Sequence, residues 1–147
     1  MYSIATVIGG VLVFAGLGSK FSERLGKNST LSIGISIIVF MVLFIIIFAP
    51  SIINYFLGYS IIYRIIITIL LIAPLSFSIG FFFPVGLRII GEKANAFVPW
   101  AWGINSGATV IGSIISIIFA MFVGFNITFL ISVMIYIVGY ISIMIYT

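Results

Sequence analysis

The sequence contains no cysteine and no histidine, and its only acidic side chains are Glu23 and Glu92. The lack of cysteine removes disulfide and thiolate chemistry and leaves the redox compartment unmarked. The lack of histidine, with only two carboxylates, excludes most metal-binding and acid–base constellations. Basic residues are few as well: six lysines and arginines bring the charged fraction to 5%. Soluble domains carry about 25%, so no water-exposed surface can be assembled from this chain. What is present is hydrocarbon. Hydrophobic residues make up 64% of the 147, and the mean hydropathy is +1.49.

Seven of the eight charges fall in two clusters: Lys20, Glu23, Arg24 and Lys27, then Arg88, Glu92 and Lys93. An ionised side chain at the centre of a bilayer costs about 2.5–3.5 kcal/mol on insertion scales, so charge is expelled to the loops. The net charge of +4 therefore reports topology, and no nucleic-acid partner is expected. The chain reads as one all-α transmembrane domain, residues 1–147, a multi-pass protein of the cell membrane. Five spans are predicted, at 1–18, 31–49, about 59–83, 102–123 and 127–146. A helix needs about 20 residues to cross a hydrocarbon core of about 30 Å. The third span is longer and contains Pro74, which predicts a tilt, a kink or a break. Gly124-Phe125-Asn126 predicts a tight turn, with the last two spans as an antiparallel hairpin.

The first apolar run lacks the basic flank of a cleavable signal peptide, and its positive charges follow it. That order predicts an outer N-terminus and, with an odd number of spans, an inner C-terminus. The loops at 19–30 and 84–98 then share the inner face, and both carry the excess of lysine and arginine. The turns at 50–58 and 124–126 carry no charge.

The fourth span holds the most regular pattern. Ala108, Gly112, Ser116, Ala120 and Gly124 recur every four residues, preceded by Gly103 and Gly107 as a GxxxG. Small residues on one stripe let another backbone approach closely, which is how helices associate in lipid. Asn105, Thr109 and Ser113 lie beside that stripe, placed to hydrogen-bond across such a contact. Packing within this chain's own bundle is the first expectation for the stripe. A face for another subunit and a polar substrate path are the alternatives.

Other polar residues are read in the same way. Asn105, an amide inside a membrane, must find a partner; capping or interhelical bonding is expected ahead of ligand contact. Pro99-Trp100-Ala101-Trp102 resembles a helix start at the inner interface, where proline is tolerated and Trp100 and Trp102 suit the headgroup layer. Arg64 stands near the outer end of the third span among Tyr55, Tyr59 and Tyr63. It is expected to snorkel to the headgroups, with an anion contact as the alternative. Pro74 frees the carbonyl of Leu70 and is followed by Ser76, Ser78 and Gly80. Gly16-Leu17-Gly18 opens like a dinucleotide-binding turn but lacks the third glycine and any sheet pattern. Carboxylate, nucleophile–base and metal-ligand groupings are missing, so no enzyme activity and no cofactor is expected.

Three stretches carry a resemblance. The first runs from Gly16 through Lys20, Glu23, Arg24 and Gly26 to Lys27; the second is Gly80-Phe81-Phe82-Phe83-Pro84-Val85-Gly86-Leu87-Arg88. The third is Pro99-Trp100-Ala101-Trp102-Gly103-Ile104-Asn105-Ser106-Gly107, followed by Gly112-Ser113. In order and spacing they are similar to the membrane region of bacterial and archaeal proteins that join a major-facilitator-like bundle to a spermidine-synthase-like domain. Ser19 stands where the transporters' inner-loop signature has glycine, and Glu23 where it commonly has aspartate. These residues hold no counterpart of the family's nucleotide-fold domain, so the resemblance implies a detached membrane module and carries no aminopropyl transfer with it. The expectation is a non-catalytic accessory subunit, associated with lipid, with other membrane subunits or with copies of itself. A transporter-like half-bundle, or an anchor for a separate synthase-like chain, is the alternative. Its interface candidates are Glu23, Arg24, Arg64, Arg88, Asn105, Trp100 and Trp102.

Overall fold

The computed structural model describes residues 2–146, and every regular element among them is helical. In order these are α1 (Tyr2–Ser22), α2 (Lys27–Phe56), α3 (Ile61–Ile79), α4 (Phe82–Ala94), α5 (Val98–Val123) and α6 (Phe125–Tyr146). A 3₁₀ turn, Asn95–Phe97, joins α4 to α5. Met1, part of the first predicted span, lies outside the described residues. Four stretches are long and apolar enough to cross a membrane: Ile4–Ser22, Lys27–Phe56, Ile61–Val123 and Phe125–Ile145. The third takes in α3, α4 and α5. The chain gathers into two compact units, Met1–Pro84 and Val85–Thr147.

Several boundaries differ from those the hydropathy predicts. α1 continues a turn beyond Gly18, and α2 starts at Lys27 and runs through Pro50 to Phe56, so most of the 50–58 turn is helix. The 84–98 loop is also helix, formed by α4 and the 3₁₀ turn. Prolines do not set where the chain breaks. Pro50 and Pro74 each forfeit one bond, to Ile46 and Leu70, and the helix runs on. In apolar surroundings continuation keeps every other backbone group paired, whereas a loop would expose many. Pro84 sits in the first turn of α4, where a missing N–H costs no intrahelical bond, and α3 has already ended at Ile79. Gly80 N–H donates to Ser76 at 3.1 Å and Phe81 N–H to Ser78 at 3.1 Å, tightening the last turn before α4 begins.

In the first unit α1 and α3 run in the same direction and α2 returns between their ends. Gly10 faces Ile72 Cδ1, 3.1 Å from where its Cβ would stand, and further along Gly18 faces Phe77. The Phe21 and Phe77 rings are 5.7 Å apart. α2 buries Leu31, Gly34, Ile38, Met41 and Val42, the three-to-four-residue spacing of one helix face. Phe81 closes that core, fully buried, with its ring 3.1 Å from the Cβ position of Gly34. The end of α1, the start of α2 and the end of α3 therefore meet at one end of this unit.

In the second unit the predicted turn between the last two helices is present, compressed to one residue. Phe125 and Asn126 already belong to α6, and Gly124 alone reverses the chain, with φ 88° and ψ 161°. A side chain is strained in that conformation, so glycine is required. The predicted helix start also holds: Phe97 precedes the first turn of α5, and Pro99 sits within that turn.

Candidate functional site

The closest helix contact lies between α1 and α3. A Cβ on Gly18 would overlap the backbone oxygen of Phe77, and one on Gly80 would overlap that of Ala15. Here two backbones touch without intervening side chains, the arrangement small residues permit in lipid. Four buried polar residues gather around this end of the unit: Ser22, Thr30, Ser76 and Ser78. Three are satisfied locally. Ser22 Oγ donates to Ser19 O at 2.6 Å, Thr30 Oγ1 to Gly26 O at 2.8 Å and Ser78 Oγ to Pro74 O at 2.8 Å. A buried hydroxyl left without a partner costs about 1–3 kcal/mol, and returning it to the helix's own carbonyl avoids that.

Within the second unit the expected packing against the α5 stripe is not found. No residue of α5 is buried. Added Cβ atoms at Gly103, Gly107 and Gly112 would meet nothing within 4 Å, Ala108 and Ser116 are exposed, and Ala120 is half-buried near the turn. The polar residues beside the stripe do not reach across a helix contact either. Ser106 Oγ donates to Trp102 O at 2.9 Å, Thr109 Oγ1 to Asn105 O at 2.8 Å and Ser113 Oγ to Val110 O at 2.8 Å. The periodicity of the stripe predicts that some backbone approaches it, and within the second unit none does.

The remaining candidates are spread over the chain. Glu23 and Arg24 are exposed in the short link between α1 and α2, where Arg24 N–H donates to Phe21 O at 3.1 Å. Arg64 is exposed at the start of α3. Its neighbours form a ladder, with Tyr55 and Tyr59 5.9 Å apart and Tyr59 and Tyr63 6.1 Å apart. Arg88 is half-buried on α4 with its Nε covered, one helical turn before Glu92. Asn105, Trp100 and Trp102 are exposed on α5. Glu23, Arg24 and Arg64 belong to the first unit, and Arg88, Trp100, Trp102 and Asn105 to the second. The packing role of Ala15, Gly18 and Gly80 is not among the sequence-based expectations, which place Gly18 in a glycine turn and Gly80 after the Pro74 kink. Their signal was a second small-residue series, Ala15, Gly18, Ser22 on α1 against Ser76, Gly80 on α3.

Comparison with known proteins gives no match: no family model, no curated protein and no solved structure aligns with the chain.

Proposed function

We propose that this chain is a non-catalytic, multi-span membrane module acting as an accessory subunit of a larger membrane complex in the cell membrane. One observation carries the reading: α5 displays a small-residue stripe whose glycines have open space before them. A sequence that keeps small residues every four positions on a helix face forgoes apolar contact there unless a second backbone occupies it. The partner is another membrane subunit or a second copy of this chain. The motif resemblance to a membrane region supports the same reading. Purification in mild detergent followed by mass spectrometry of what travels with the chain tests it. A stable stoichiometric partner or a homo-oligomer is expected; a chain that leaves the membrane alone and monomeric would contradict it.

The proposed topology is five spans with the N-terminus outside and the C-terminus inside. It is supported by lengths of 19 residues for α3 and 26 for α5, each near the ~20 needed to cross. Charge supports it too, because α4 carries Arg88, Glu92 and Lys93. Burying three such charges in the bilayer centre would cost on the order of 8–10 kcal/mol. Single cysteines at the exposed positions Glu23 and Asn95 should be labelled only from the cytoplasmic side, and those at Gly58 and Asn126 only from outside. Labelling of Glu23 and Asn95 from opposite faces would remove a span.

A transporter-like half-bundle is the second reading, favoured by the helix break at Gly80-Phe81 just after the buried Ser76 and Ser78. Broken helices commonly line transport sites. A substrate-dependent gain in stability of the purified complex would favour it.

A further inference from the structure

Arg64 is the one charged residue outside the two clusters, and it stands in the first turn of α3. A cation there opposes the helix dipole, and the turn holds no acidic residue to offset it. The only carboxylate of the first unit is Glu23, in the link between α1 and α2. α2 separates the two links by 30 residues, about 45 Å at 1.5 Å per residue. Glu23 also has Lys20, Arg24 and Lys27 as its neighbours in sequence. Within this unit Arg64 is therefore a cation without a counter-ion, at the edge of an apolar span where such a charge is costly.

The surroundings of Arg64 are aromatic and open. Tyr55, Tyr59 and Tyr63 are 68%, 48% and 56% exposed. Half-buried Phe56 holds the ladder to α2, with its ring 5.2 Å from that of Tyr55 and 5.3 Å from that of Tyr59. The backbone of the link is closed as well. Tyr59 N–H donates to Phe56 O at 3.1 Å, and the N–H groups of Tyr63 and Arg64 donate to Ser60 O at 3.1 and 3.4 Å. Leu57, Ile61 and Ile62 add exposed aliphatic side chains to the same link. A ring with an apolar body and a hydroxyl tip suits the headgroup level of a bilayer.

On the membrane reading proposed above, we infer that the α2–α3 link seats the phosphodiester of a phospholipid, with Arg64 as its phosphate contact and the tyrosine ladder beside the headgroup. A guanidinium offers two parallel N–H donors to phosphate oxygens. One arginine with no neighbouring acid matches the single negative charge that every phosphodiester carries, whatever the rest of the headgroup. The exposed rings and aliphatic side chains would lie along the glycerol and upper acyl chains, contacts that a free phosphate ion lacks.

Native mass spectrometry of the full chain in maltoside detergent tests this. Phosphatidylcholine, phosphatidylglycerol and a galactosyl diacylglycerol with the same acyl chains are offered in equal amounts. Both phospholipids should bind alike and about fivefold better than the galactolipid, which has no phosphate. Arg64→Gln should bring them down to the galactolipid level, and Arg64→Lys should keep part of the preference. Lys20→Gln, at the far end of α2, should keep all of it. Equal binding of the three lipids overturns the inference and leaves the membrane reading intact, and this comparison stands even where Arg64→Gln does not fold. Preference for phosphatidylglycerol alone would mean that net charge is read, and overturns it too. So does a preference that survives Arg64→Gln, or displacement of the lipid by millimolar inorganic phosphate. Absence of any lipid adduct would overturn the membrane reading together with it.

Discussion

Gly18→Leu is expected to be the most damaging single substitution in the chain. The position faces the backbone of Phe77, which has no rotamer to change, so the added side chain must force α1 and α3 apart. Overpacking costs about 1–3 kcal/mol where side chains can yield, and here the obstacle is main chain, so a loss at or above about 3 kcal/mol is expected. Membrane or soluble, a domain holds only about 5–15 kcal/mol in total. Gly80→Leu should behave alike, since Gly80 meets the Ala15 backbone. Gly16→Leu is the control, two residues away with nothing within 4 Å of its Cβ position. Thermal unfolding in detergent should show a large drop for Gly18→Leu and Gly80→Leu and little change for Gly16→Leu. Equal stability of all three would mean that α1 and α3 do not touch.

Gly112→Leu separates stability from assembly. In a helix packed within its own bundle this change would destabilise the chain; with open space in front of Gly112, the purified chain should unfold like the parent. Replacing a helical glycine even relieves about 0.5–1 kcal/mol of backbone cost. Recovery of the assembled complex is where the loss should appear, because leucine there keeps a second backbone from closing on the stripe. Unchanged recovery would place the stripe against lipid. A fall in stability of the isolated chain would instead return α5 to an intramolecular role.

How far the sequence carried this account follows from what each signal encodes. Charge exclusion from hydrocarbon is strong and one-dimensional, so the helical class and the long apolar stretches were legible from the clusters Lys20–Lys27 and Arg88–Lys93. Gly124 was legible because a turn between two apolar runs needs a residue free of a Cβ, and it has the positive φ that requires one. Helix ends were less so. Hydropathy cannot tell that backbone pairing in an apolar setting carries α2 through Pro50 and α3 through Pro74. It also treats 84–98 as a loop, because charge marks exit from the bilayer and not the local conformation there. The contact between α1 and α3 was not legible for a related reason. A stripe of small residues says that a backbone can approach, and α1 and α5 both carry one. Which stripe is filled inside the chain depends on the partner helix. Gly80 after Ser76 and Ser78 provides a matching surface for Gly18, and α6, with Val133 the one buried hydrophobic side chain among its described residues, provides none for Gly112.

The central claim is that the small-residue face of α5 is filled by another polypeptide. A photo-crosslinking side chain at Ser116, compared with one at Ile118, tests this in native membranes. Two residues apart, these positions point about 200° apart around the helix. The account predicts a protein adduct from Ser116, resolved by mass spectrometry as a distinct subunit or a second copy, and lipid alone from Ile118. Lipid adducts alone from both positions, or protein adducts of equal yield from both, would contradict it.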